Sequence, residues 1–154
     1  MIQQRVTLLV GIPGSGKSTW ASTQNCPIIS TDAIRLELAG DETDQSINNR
    51  VYYEAGKRLV GLLASGEPRI IIDATNLRRR DRKPFLKIIQ EHGARADAAV
   101  FKVPLDLALE RNRLRNRVVP EEIVALFHSR FQMPSTPEGF TSIISIASSP
   151  TSIQ

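Results

Sequence analysis

The chain has 154 residues, long enough for one domain with a real core, and its 41% apolar and 23% charged residues fit an ordinary soluble globular protein. No stretch approaches the roughly 20 apolar residues of a membrane span. A single cysteine, Cys26, cannot close an internal disulfide, and His92 and His128 are far apart with no partner at zinc-ligand spacing.

The start, MIQQRVTLLVGIPG, lacks the basic head, long apolar middle and cleavage site of a signal peptide, so a cytoplasmic protein is expected. Residues 5–10 read as a buried strand. The glycine-rich run 11–16 follows, then a helix from about Lys17. Residues 27–31 read as a second strand, and Asp32 opens a short helix to about Leu38. After a polar loop, Ile47, Val51, Ala55, Leu59, Leu62 and Leu63 repeat at helical spacing and predict a long amphipathic helix that stops at SGEP, 65–68.

Residues 69–73, RIIID, predict a third strand ending in a carboxylate. A basic helix follows, with Phe85, Leu86, Ile88 and Ile89 on its apolar side and Gly93 at its end. Residues 97–103 predict a fourth strand, and Pro104 starts a helix through Leu105, Leu107, Ala108 and Leu109. Pro120 with Glu121 and Glu122 starts another helix, which buries Ile123 and Phe127. Residues 141–146 predict the last strand, and 147–154 a flexible tail. Five strands alternating with helices imply a three-layer α/β fold, a parallel sheet covered on both faces, over residues 1–146. Ligands of such sheets bind beyond the carboxyl ends of the strands.

Gly11 to Ser18, GIPGSGKS, fills the phosphate-loop pattern G-x-x-x-x-G-K-[ST]. Gly11, Gly14 and Gly16 let the backbone wrap with its N–H groups inward, and Ser15 and Thr19 complete the wall. The helix start adds positive charge. In this reading Lys17 serves the β- and γ-phosphates and Ser18 holds Mg²⁺. Asp32 follows strand two, where a carboxylate can accept the proton of an attacking hydroxyl. The alternative is an N-cap, a role that Ser30 or Thr31 also suits. Arg35, one turn on, can clamp an acceptor phosphate or pair with Glu37 or Asp41. Asp73 is a candidate for Mg²⁺, directly or through water. Thr75 and Asn76 are candidate donors to the phosphate or the acceptor, though Asn76 also suits a turn.

The net charge of +4 permits an anionic substrate, and much of the excess sits in RRRDRK, 78–83, and RNRLRNR, 111–117. Either run also suits a solvated helix face. Arg111 and Arg115, four apart, are expected on one helical face, as are Arg113 and Arg117. An arginine from a lid can neutralise charge in phosphoryl transfer.

GIPGSGKSTWA, STDAIR, IIDATNL and FKVPLDLALERNRLRNRVVPEEIV, in this order, resemble the 5′-hydroxyl polynucleotide kinases. They also resemble a wider bacterial group of small P-loop kinase-like ATPases, to which MPSTPEGF is similar. The resemblance implies a P-loop NTPase fold of adenylate-kinase type, ATP or another NTP as donor, Mg²⁺, and transfer of the γ-phosphate to the 5′-OH end of DNA or RNA. Carried over by motif, Lys17 and Ser18 serve donor phosphates and metal, and Asp32 is the general base. Arg35 holds the acceptor's 3′-phosphate, and Arg115 contacts the donor phosphates with Arg111 beside it. The chain departs from the family pattern at Ala74-Thr75-Asn76, where Asp-Thr-Asn is expected, and carries its aspartate one place earlier, at Asp73. A kinase of a small-molecule hydroxyl (metabolite or nucleoside) and an NTP-binding ATPase module are the rival readings.

Overall fold

The computed structural model describes residues 2–116 and 118–147; Met1, Arg117 and the segment 148–154 lie outside the described residues. Five strands form one all-parallel sheet in the order β2-β3-β1-β4-β5. They are β1 Arg5–Val10, β2 Ile28–Ser30, β3 Arg69–Asp73, β4 Arg95–Val100 and β5 Ser142–Ser145. The α-helices are α1 Lys17–Ser22, α2 Thr31–Ala39, α3 Asn48–Ala64, α4 Arg79–Glu91, α5 Leu105–Arg113 and α6 Glu121–Ser129. Single 3₁₀ turns occupy Gln45–Ile47 and Thr136–Glu138. Among the described residues no helix is long and apolar enough to cross a membrane.

Strand parity divides the core. Val6 and Leu8, Ile70 and Ile72, and Ala96 and Ala98 point to the face covered by α3 and α4, where Val51, Ala55, Leu59, Phe85, Leu86 and Ile89 meet them. The alternating Leu9, Ile71 and Ala99 point to the other face and pack with Ala21 of α1 and Phe101. Strands buried on both faces therefore read as unbroken apolar runs. A third cluster joins Ile12 and Leu77 at the sheet's carboxyl edge to Val103, Ala108 of α5 and Val124 of α6. The chain is thus an α/β protein with a parallel sheet covered on both faces.

Several boundaries differ from the sequence expectation. β2 is one residue shorter at each end, and β4 runs 95–100 rather than 97–103. After Val100 the apolar run continues because Phe101 and Val103 pack in the second and third clusters, although the Phe101 N–H still donates to the Val10 carbonyl at 2.7 Å. On α6 the fully buried residue is Val124, while Ile123 and Phe127 are only partly covered, and Pro120 is the N-cap rather than part of the first turn. α5 stops at Arg113, with Leu114 as its C-cap, so Arg115 lies past the helix end and does not share a helical face with Arg111.

Candidate active site

The phosphate loop leaves β1 and is sewn to the neighbouring strand by Gly11 N–H, which donates to the Thr75 carbonyl at 3.0 Å. A Cβ at Gly11 would lie 2.7 Å from Ser15 Oγ and 3.0 Å from the Phe101 carbonyl oxygen, so no other residue fits there without movement. Gly14 and Gly16 have φ of +84° and +96°, the left-handed region that the wrap requires. Gly16 precedes α1 as its N-cap and brings no side chain, which leaves the first amides of the helix to a ligand. Ser18 and Thr19 are exposed on the first turn. Ser15 Oγ is buried without a hydrogen-bond partner among the described residues, packed inside the loop.

Lys17 is buried, and its Nζ donates to the Ile12 carbonyl at 3.1 Å. Burial lowers the pKa of this ammonium; Asp73 and Asp32 oppose the fall and Arg115 adds to it. Three residues from three separate segments therefore converge on one lysine. Parallel pairing explains part of this: Ser30 stands opposite Asp73 in the β2–β3 register, so the chain after β2 and the end of β3 reach the same edge. Asp73 Oδ2 accepts from Ser18 Oγ at 2.8 Å, a hydroxyl and a carboxylate side by side. Such a pair fits Mg²⁺, which takes one or two protein oxygens and completes its shell with phosphates and water. Among the described residues no cluster of three His, Cys, Asp or Glu offers a cage for another metal.

Ser30 Oγ caps α2, accepting from Ala33 N–H at 3.1 Å, so Asp32 is released from that duty. Its carboxylate is 56% exposed and accepts from Arg35 Nη1 at 2.9 Å, while the Arg35 side chain is only 7% exposed. Arg35 Nε also donates to Asn48 Oδ1 at 3.1 Å. Of the expected alternative partners of Arg35, Glu37 pairs instead with Arg58.

Asn76 requires a correction. It is fully buried, with φ +48°, and its Nδ2 donates to the Leu9 carbonyl at 2.8 Å. It is a turn residue whose Nδ2, the expected donor to a ligand, is spent on β1, and its Oδ1 is buried without a hydrogen-bond partner among the described residues. Thr75 beside it is half-buried.

α5 lies over the loop. A side chain at Gly14 would meet the Ala108 carbonyl at 3.5 Å and Arg111 Cβ at 3.8 Å. Arg111 is buried there. Arg115 sits in the loop after α5, and that loop is closed by Asn112, whose amide donates to the Val119 carbonyl at 2.5 Å and accepts from Val119 N–H at 3.0 Å. Arg113 pairs with Glu121 on the surface, and its expected companion Arg117 lies outside the described residues.

Two supports escaped the sequence reading. Arg82 is 0% exposed; it donates to the carbonyls of Asn76, Leu77 and Gln132 and pairs with Glu138 at 2.9 Å. The signal was its place on the apolar stripe with Phe85, Leu86 and Ile89, where an arginine must find buried partners. Asn48, which holds Arg35, had no distinguishing signal.

A phosphate loop, an Asp–Arg pair, a hydroxyl–carboxylate pair and a covering arginine at one sheet edge define the P-loop kinase class. A model of the AAA domain family matches residues 6–134, and the chain belongs to that family. It is 32% identical over 145 residues to a bifunctional polynucleotide phosphatase/kinase of Schizosaccharomyces pombe, covering 91% of this chain and 33% of that protein. It is 27% identical over 143 residues to an L-seryl-tRNA(Sec) kinase of Methanococcus maripaludis, covering 84% and 53%. The chain thus spans about a third and about half of the lengths of these relatives. Among solved structures, a chain of the Pnkp1/Rnl/Hen1 RNA repair complex superposes with a TM-score of 0.74 at 25% identity, over 100% of this chain and 52% of that one. The Mycobacterium tuberculosis APS kinase CysC, solved with AMPPNP and APS, shares the fold at a TM-score of 0.60 and 15% identity, over 97% and 92%.

Proposed function

We propose that this chain, with residues 1–146 as one kinase unit, transfers the γ-phosphate of ATP or another NTP to the 5′-OH end of a nucleic acid. The observation that carries the reading is the Asp32–Arg35 pair, joined with Asp73 and Arg115 around buried Lys17. A nucleotide switch needs no base for an acceptor alcohol. The relatives named as polynucleotide and tRNA kinases support a nucleic-acid acceptor.

ATP with Mg²⁺, when bound, would supply the phosphoryl group and a cation that offsets its negative charge. The backbone of Gly11–Ser18 and the Lys17 ammonium hold the donor phosphates, with Ser15 and Thr19 lining the loop. Ser18 and Asp73 hold the metal. Asp32 takes the proton of the acceptor hydroxyl as its oxygen bonds to the γ-phosphorus and the bond from that phosphorus to the leaving nucleoside diphosphate breaks. Arg35 orients that carboxylate through Nη1, is itself held through Nε by Asn48, and offers its remaining N–H donors to the acceptor's phosphate. Arg115, with Arg111 beside it, offsets the charge on the transferring oxygens.

A second reading, a kinase of a small-molecule hydroxyl, is favoured by one observation: Tyr53 is the only strongly exposed aromatic among the described residues, so base-stacking platforms are few. The test is incubation with γ-labelled ATP, Mg²⁺ and short 5′-OH DNA and RNA. Label should appear on the 5′ end and fall by about 10²–10⁴-fold in Asp32→Ala. ATP binding without transfer to either oligonucleotide would sink the nucleic-acid acceptor, and small alcohols would then be screened.

A further inference from the structure

α4 begins at the ligand edge and carries a row of cations that the site itself does not use. Arg79, Arg80, Lys83 and Lys87 are exposed, and none has a carboxylate partner among the described residues. Arg79, Lys83 and Lys87 are spaced by four, so they share one side of the helix at a rise of about 6 Å per step. Arg130 adds a further exposed cation near the start of the row, because Gln132 Oε1 accepts from the Arg79 N–H at 2.9 Å. The acids of this helix do not neutralise the row. Asp81 is engaged by Arg78 at 3.2 Å, and Glu91 is at the far end.

The start of α4, where the row begins, is linked through α3 to the Asp32–Arg35 pair. Asn48, which accepts from Arg35, lies one turn before Tyr52 on α3, and the Tyr52 ring packs on Phe85 of α4 with centroids 6.1 Å apart. Arg78, Asp81 and Phe85 fall on one side of α4 by their spacing. Burial pushes the Tyr52 phenol up, Asp81 and Asp32 adding to the rise and Arg35 and Arg78 opposing it.

We propose that the acceptor is a strand whose phosphates, beyond the one at Arg35, pass Arg78 and lie along the exposed cations Arg79, Arg80 and Lys83 of α4, with Lys87 beyond. A periodic row of unpaired cations suits a polyanion and exceeds what a single small phosphate ester needs. The inference rests on the kinase reading for the placement of the first phosphate, but its test does not depend on transfer.

The experiment is anisotropy of a 3′-labelled single strand of about twelve nucleotides, titrated across a range of KCl. It compares the parent chain, Arg79→Gln/Lys83→Gln, and a charge-matched control, Arg50→Gln/Lys57→Gln, on exposed positions of α3. The slope of log K against log salt should be shallower by about 1.4 in the α4 variant, from two contacts at about 0.7 each, and unchanged in the control. Alongside, the ratio of kcat/KM for the oligonucleotide to that for a 3′-phosphorylated nucleoside should fall in the α4 variant. An unchanged slope, or an equal loss in the control, overturns the proposal even where 5′ transfer occurs. Polyglutamate bound as tightly as the oligonucleotide, with the same loss in the variant, also overturns it. A lost slope with no transfer to any 5′-OH supports the surface and removes the kinase reading.

Discussion

Lys17 keeps its ammonium buried against the Ile12 carbonyl while Asp73 and Asp32 act on its charge, so its energetics can be read from the pH dependence of folding. Burial lowers its pKa, and the folded chain gives up this proton more readily than the unfolded chain does. Between the folded value and the ordinary lysine value, the unfolded state holds the extra proton, so stability rises with pH through that window and levels off above it. Lys17→Met keeps the apolar stem and removes the charge. It should raise resistance to urea at neutral pH by an increment of order 1 kcal/mol. The gap from the parent should close as pH climbs through the window. A gap independent of pH would show that the ammonium carries no such cost. Single residues also show where sequence runs out. The phosphate loop was legible because glycines, lysine and serine must sit at fixed offsets. Asn76 was legible as a turn residue, since asparagine tolerates positive φ. Its burial was not, because the partner of its Nδ2 is a carbonyl 67 positions away in the chain.

At the scale of elements, Arg82 joins three segments that share no ladder: the loop after β3, the start of α4, and residues 132–138. Burial alone would raise the Glu138 carboxyl, but hydrogen bonds from Arg82 and from Ser135 outweigh it and hold it below the usual carboxylate range. This contribution is present above the ordinary carboxylate pKa and fades as acid brings the pH through the folded value. Arg82→Met should cost about 3–5 kcal/mol, since it strands a nearly buried carboxylate. Arg82→Met/Glu138→Gln should recover part of that loss in a double-mutant cycle by urea unfolding. A single-variant cost under about 1 kcal/mol would place the pair with surface ion pairs instead. Element boundaries failed in sequence where an apolar run outlived its strand. Phe101 and Val103 continue the pattern of β4 but pack against Trp20 and the α5 region respectively. The end of α5 failed similarly: RNRLRNR keeps helical spacing, but Asn112 folds the loop back onto Val119.

For the whole molecule, the order of strands explains why the candidate site was largely readable in one dimension. In a parallel sheet every strand delivers its carboxyl end to the same edge, so the residues after β1, β2 and β3 meet without any long-range instruction in the sequence. Ligand binding at that edge must then appear as global stability, because whatever binds only the folded chain stabilises it by RT ln(1 + [L]/Kd). At a hundredfold excess over Kd this is about 2.7 kcal/mol. Ser18 and Asp73 touch each other at 2.8 Å and are the proposed metal pair, whereas Lys17 and the loop amides serve phosphate. The two contributions should therefore separate in thermal unfolding. ATP alone should raise Tm in the parent, and ATP with Mg²⁺ should raise it further. Asp73→Asn, which keeps a partner for the Ser18 hydroxyl, should retain most of the first increment and lose the second. If Asp73→Asn keeps the full Mg²⁺-dependent rise, Asp73 does not hold the metal and serves only to fix Ser18.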